Sequence, residues 1–186
     1  MRLFVAVVPP ARALAGLDEA IGVREEQLRW VPPEQWHLTL VFCGEVAERH
    51  VGELTERLGR AAARTAPFDL RLVGAGTFPK QAARARVFWT GLGGDVTSLS
   101  RLAERCAAAA RRTGIDVEER PYRPHLTLAR ARRDPVDARD AVSRLSSYDG
   151  EPWTVSSIRL VHSTLGASVR HETLAEPVLS GGQGPR

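Results

Sequence analysis

The sequence predicts a bilobal α+β fold, with two small sheets backed by helices and facing across a groove. Three observations lead there. The tetrapeptide His-Leu-Thr-Leu occurs twice, at His37–Leu40 and at His125–Leu128, with the two histidines 125 − 37 = 88 residues apart. Each copy alternates a polar residue with leucine, which is the period of a half-buried strand, so His and Thr share one face and the leucines the other. The order of elements around each copy also repeats: the motif strand precedes a helix both times.

The first strand is the apolar run Leu3 to Val8, read as buried on both faces. Pro9-Pro10 mark the entry of a helix over 11–27, with Leu14, Leu17, Ile21 and Leu28 as its apolar stripe. Trp30-Val31-Pro32-Pro33 is a connector. The first motif strand covers 37–43 and ends at Gly44. A helix over 47–64 follows, with Val51, Leu54, Leu58 and Ala62 at helical spacing. A strand over 67–73 stops at Gly74-Ala75-Gly76, and Pro79 lies beyond. The next strand is 86–92, ended by Gly93-Gly94. Asp95 or Thr97 caps a helix to about Arg112, which Gly114 stops. Pro121 and Pro124 frame the approach to the second motif strand, 125–130. Pro135 opens a helix to about Leu145. Strands over 153–163 and 170–174 complete the domain, taken as 1–178, and 179–186 reads as a flexible tail.

Composition excludes several classes. At 186 residues, 43% hydrophobic and 26% charged, the chain is an ordinary globular one, and no apolar run is long enough to span a bilayer. The first residues lack the features of a secretory signal, so a cytoplasmic setting is expected. Cys43 and Cys106 fit no metal or redox spacing and read as small buried side chains. The net charge is +4, and Lys80 is the sole lysine, so arginine carries the positive charge. Arginine forks suit phosphate. Runs such as Arg84-Ala85-Arg86 and Arg130-Ala131-Arg132-Arg133 read either as guides for a polyanion or as a solvated basic face.

The doubled motif carries chemistry. Imidazole serves as acid or base near neutral pH. Cleaving a phosphodiester takes a proton from the attacking water and gives one to the leaving oxygen, which two opposed histidines can do without a metal. Thr39 and Thr127, two residues on, can hydrogen-bond the non-bridging phosphate oxygens, and a nearby arginine would hold the charge that builds up. His50, His162 and His171 share no spacing and read as surface or structural groups; no Cys–His cluster suggests zinc. The tryptophans read as core, with Trp36 also placed to border the cleft and stack a base.

With these motifs the chain resembles the 2H phosphoesterases, and among them the bacterial and archaeal RNA 2′,3′-cyclic phosphodiesterases, also called 2′-5′ RNA ligase-like proteins. The resemblance is sharpest over Trp36–Glu45 and Tyr122–Arg130, and extends to Gly76–Pro79, Val87–Gly91 and Ile158–Val161. It implies a bilobal fold of mainly antiparallel sheets with a basic cleft, no cofactor, and hydrolysis of a terminal 2′,3′-cyclic phosphate to a 2′-phosphate. It implies His37 as proton donor to the departing 3′ oxygen and His125 as proton acceptor from water. Thr39, Thr127, Arg130 and Phe42 would contact the substrate. The residues themselves do not separate donor from acceptor.

Strict alternation puts Arg130 on the face opposite His125, so Arg130 reaches the phosphate only if the strand bends or ends near Ala129. Phe42 stands in the same relation to His37, and packing with Leu38 and Leu40 is its other reading. The expected partner is RNA with a 2′,3′-cyclic phosphate end or a related nucleotide. The protein is expected to act as a monomer, with no membrane and no obligate protein partner. Joining of RNA ends through a 2′-5′ bond, action on small cyclic nucleotides, and a non-catalytic RNA- or nucleotide-binding module are the alternatives.

Overall fold

A computed structural model describes residues 1–181. Its strands are β1 (Arg2–Val7), β2 (Leu28–Trp30), β3 (Leu38–Glu45), β4 (Phe68–Phe78), β5 (Val87–Gly94), β6 (Leu126–Ala131), β7 (Trp153–Val155), β8 (Arg159–Thr164) and β9 (Arg170–Ala175). Its α-helices are α1 (Ala11–Ile21), α2 (Val51–Ala63), α3 (Val96–Arg112) and α4 (Arg139–Leu145).

All strands join one antiparallel sheet in the order β7-β4-β5-β6-β3-β1-β8-β9, with β2 added alongside β6. The two expected sheets are the halves of this one. They meet at a narrow seam where Leu38 of β3 faces Leu126 of β6. One lobe holds β3, β1, β8 and β9, with α3 packed on β3 and α2 on α3. The other holds β6, β2, β5, β4 and β7, with α4 and α1 packed on β4. The lobes therefore interleave along the chain. β1 and its following helix α1 belong to different lobes, and β1 pairs with the late strand β8. Burying both faces of β1 requires exactly such a central position, and Leu3 to Val7 are all buried.

Helix α1 is shorter than its apolar stripe suggests. Gly22 takes φ 63° and ends it, which frees Leu28 to open β2. Strand β4 continues through Gly74-Ala75-Gly76 with a register shift there. The disturbed backbone is satisfied: the Gly74 N–H donates to the Tyr148 carbonyl at 2.9 Å, and the Gly74 carbonyl accepts from the Thr90 hydroxyl at 2.7 Å. Asp95 caps α3 by accepting from the Ser98 N–H at 3.0 Å. The helix expected from Pro135 begins only at Arg139, because Val136 first forms a bridge with Ala85. The stretch 153–163 divides into β7 and β8, which lie in different lobes.

The tail boundary also moves. Leu179 is 3% exposed within the core, and the Gly181 N–H donates to the Thr65 carbonyl at 3.0 Å. The remainder of the expected tail, 182–186, lies outside the described residues. Cys43 and Cys106 are buried and unbridged, and burial raises their thiols to about 11 and about 12, so both stay protonated. No described helix is long and apolar enough to cross a membrane.

Candidate active site

Leu38 and Leu126 are fully buried beneath the seam, so alternation turns His37, Thr39, His125 and Thr127 to the opposite face. Continuing the antiparallel register outward from that pair sets His37 across from Thr127 and Thr39 across from His125. The four side chains of the doubled motif thus surround one point of near-twofold symmetry.

Each imidazole is held in the same way. His37 Nδ1 lies 2.7 Å from the Gln35 carbonyl, and His125 Nδ1 lies 2.7 Å from the Arg123 carbonyl. A carbonyl accepts only, so each Nδ1 carries the proton and each Nε2 is left as the unprotonated, basic nitrogen. His37 Nε2 lies 3.1 Å from the Thr39 hydroxyl.

The bend needed for Arg130 is present, and it occurs in both motif strands. Between β5 and β6, Phe88 faces Ala129 while Trp89 faces Thr127, so Leu128 has no partner. Between β1 and β3, Val5 faces Val41 while Ala6 faces Thr39, so Leu40 has none. These are β-bulges at matching positions. Leu128 and Ala129 both turn into the core, as do Leu40 and Val41. One added residue resets the alternation, so Arg130 and Phe42 return to the histidine face. Packing of Phe42 with Leu38 and Leu40 is thereby replaced: its ring is 48% exposed, opposite Phe4, with the Arg2 guanidinium 4.9 Å from its centroid. Arg130 pairs in register with Arg29 of β2.

Aromatic walls flank the histidines, and they differ. His37 stacks on Phe4 with centroids 4.7 Å apart and planes 23° from parallel. His125 meets Phe78 edgewise at 5.0 Å and Trp89 at 6.3 Å. Trp89 lies over Gly76, where a Cβ would fall 2.4 Å from its ring. Trp36, by contrast, is 1% exposed and belongs to the core, not to the cleft border. His171 of β9 was expected as a surface or structural group. It is exposed, and its ring also lies edgewise to both Phe4 at 5.1 Å and His37 at 5.5 Å. His50 and His162 stay outside the site; His162 lies 3.9 Å from Glu172.

The electrostatics suit an anion. Burial lowers His37 to about 4, with further lowering by His171, His125 and Arg130. Burial also lowers His125, with Arg130 and Arg120 adding to it. Every charged side chain acting on the two histidines is cationic when charged. No cluster of three or more metal-ligating residues occurs among the described residues.

This geometry is matched elsewhere. The family model of the 2′-5′ RNA ligase superfamily matches residues 9–167. The chain belongs to that superfamily. Among curated relatives, an RNA 2′,3′-cyclic phosphodiesterase of Thermus thermophilus is 36% identical over 176 residues, covering 89% of this chain and 83% of its own. One of Aeropyrum pernix is 35% identical, covering 82% and 86%. A relative of the same name from Geobacillus stearothermophilus is 29% identical, and the match spans 92% of this chain but 55% of that one. The names are those of enzymes. Of solved structures, TT0787 of Thermus thermophilus superposes with a TM-score of 0.82 at 32% identity, covering 97% and 99% of the two chains. Escherichia coli LigT complexed with 3′-AMP gives 0.78 at 28% identity, covering 96% and 98%. The bilobal α+β expectation and the 2H phosphoesterase resemblance both hold.

Proposed function

We propose that this chain is a phosphoric diester hydrolase that opens a terminal 2′,3′-cyclic phosphate on RNA to a 2′-phosphate, by two-histidine acid–base catalysis without a metal or other cofactor. The observation that carries the reading is the pair of imidazoles on one face, each with Nδ1 tied to a carbonyl so that Nε2 is the basic nitrogen. The names of the relatives support the substrate, and the cationic surroundings support a phosphate.

In this mechanism the cyclic phosphate lies between the histidines, with Thr39 and Thr127 donating to its non-bridging oxygens and Arg130 balancing their charge. Phe42 offers an exposed ring to the adjoining ribose or base. His125 Nε2 takes a proton from water as its oxygen bonds to phosphorus. The bond from phosphorus to the 3′ oxygen breaks, and His37 Nε2 gives that oxygen a proton. His37 is neutral in the empty cleft at neutral pH. The donor role therefore requires the bound phosphate anion to raise its proton affinity, which an opposite charge at contact distance does. We take the active form to be a cytoplasmic monomer.

The test is an RNA with a 2′,3′-cyclic end incubated with the protein in EDTA, with the product phosphate located. A 2′-phosphate is expected, and the joint variant His37→Ala with His125→Ala should make none. Full activity of that variant sinks the reading. Joining of RNA ends in place of hydrolysis would favour a ligase. Turnover of mononucleotide cyclic phosphates with a higher kcat/KM would favour a small-molecule enzyme. Binding without turnover would leave a binding module.

A further inference from the structure

His171 lies on β9, far in sequence from either motif, yet its ring meets both Phe4 and His37. Phe4 and His37 are themselves stacked, so the three rings form one mutually touching cluster. A second link runs through Gln35. Its carbonyl accepts from His37 Nδ1 at 2.7 Å. Its side-chain Nε2 donates to the Val169 carbonyl at 2.8 Å. Val169 closes the β8–β9 hairpin two residues before His171. The turn that orients His37 is thus tied to the hairpin that carries His171, once through a hydrogen bond and once through ring contact.

No hydrogen-bond partner is found for either ring nitrogen of His171 among the described residues, so the ring is not explained by a polar network of its own. A purely structural side chain on this exposed strand would serve as well with an aromatic hydrocarbon ring. The groups around it are few. Ser163 faces it across β8, Phe4 faces it from β1 and His37 from the residue before β3, and Arg170 and Glu172 flank it on the other face of β9. Glu172 lies near His162 instead. Among the described residues no acid is therefore set against His171 on the cleft face. Whatever charge it carries is felt by His37.

We propose that His171 is a positioning residue for His37: with Phe4 and Gln35 it fixes the plane of the His37 ring, and it sets a second titratable imidazole against that ring. The inference rests on reading His37 as an acid–base group, but its first test needs no turnover. Protonated His171 is a like charge beside His37, in keeping with its part in lowering that group. Burial lowers the proton affinity of His171 as well.

His171→Phe keeps a ring at the contact and removes the charge; His171→Gln removes the ring and keeps polarity. In the ligand-free protein, NMR titration of His37 should move upward from about 4 in both variants, by about half a pH unit. Turnover of the cyclic-phosphate RNA should then separate the two effects. The Phe variant should shift the pH profile with kcat at its optimum nearly kept. The Gln variant should lose kcat about tenfold by loosening the ring, with KM changed little. Gln35→Leu, which unties the hairpin, should lose kcat in wild type but add little to His171→Gln. An unmoved His37 titration in a folded Phe variant overturns the proposal even if the enzyme reading stands. Absence of any turnover in wild type, with the titration shifted, would sink only the enzyme reading.

Discussion

The His37 half and the His125 half of the cleft share a backbone and differ in their walls. In both, the imidazole Nδ1 is tied to the carbonyl two residues back at 2.7 Å, and the second leucine of the motif is bulged. Counting from those bulges, Phe4 and Val87 hold matching places on the inner neighbouring strands, while Val161 and Phe78 match on the outer ones. The next matching pairs are Ala6 with Trp89, and Arg159 with Gly76. Large and small side chains have exchanged strands. The first half puts an aromatic ring directly beneath its histidine; the second puts its aromatic rings to the side. His37 is accordingly stacked flat and more deeply desolvated, while His125 is met by ring edges. The difference teaches how a duplicated motif can hold two unequal proton sites. Backbone geometry supplies the same orientation twice, and the walls supply different proton affinities.

The largest expected effect tests whether this inequality is a division of labour. His37→Ala and His125→Ala should each lower kcat by about 10²- to 10⁴-fold. A substrate whose departing 3′ oxygen is replaced by sulfur needs little proton donation, because a thiolate leaves readily. That substrate should restore much of the rate to His37→Ala and little to His125→Ala. Rescue of the His125 variant alone would reverse the assignment, and equal rescue of both would break the comparison.

A smaller effect concerns stability. His37 titrates at about 4 when folded, against 6.5 for an ordinary imidazole. Below pH 6.5 the unfolded chain takes up a proton that the folded chain refuses, so stability falls as pH drops from about 6.5 to about 4. The loss from this one group is at most about 3 kcal/mol. Urea unfolding at pH 7 and pH 4 should therefore show a smaller acid loss in His37→Gln than in wild type. His125→Gln should give less relief, because its wall desolvates it less. Equal relief from the two variants would contradict the ranking of the walls.

Much of this was legible in the sequence, and the reasons are local. His37, Thr39, His125 and Thr127 follow from alternation around leucines that must be buried. Asp95 as a helix cap and the strand β1 buried on both faces follow from similarly short-range rules. What local rules could not place is long-range or depends on one extra residue. Arg130 and Phe42 could be placed only once bulges at Leu128 and Leu40 were known, and a bulge depends on pairing with β5 and β1. Trp36 sits beside His37 in the chain, yet alternation turns it into the core. His171 had no motif around it. Its role comes from β8–β9 packing beside β1, a pairing between the two ends of the chain that no local pattern announces. Phe78 and Trp89 lay in stretches already marked as family-like, and same-face alternation of Trp89 with Val87 was a usable signal.

The smallest effect isolates the wall of the second half. Gly76 is the place where the Trp89 ring rests on the sheet, and a Cβ there would fall 2.4 Å from ring carbons. The ring cannot share that space, so Gly76→Ala must tilt Trp89 away and should cost about 1–3 kcal/mol in thermal or urea unfolding. Gly59→Ala makes the converse control. Gly59 lies inside α2 with nothing within 4 Å of its added Cβ. That change should stabilise by about 0.5–1 kcal/mol through helix propensity alone. Because Trp89 touches His125 and not His37, the Gly76 variant should raise KM and shift the His125 titration while leaving that of His37 near 4. A shift of both histidines together would mean that the walls do not act separately, and the source of the inequality would then lie in the cleft as a whole.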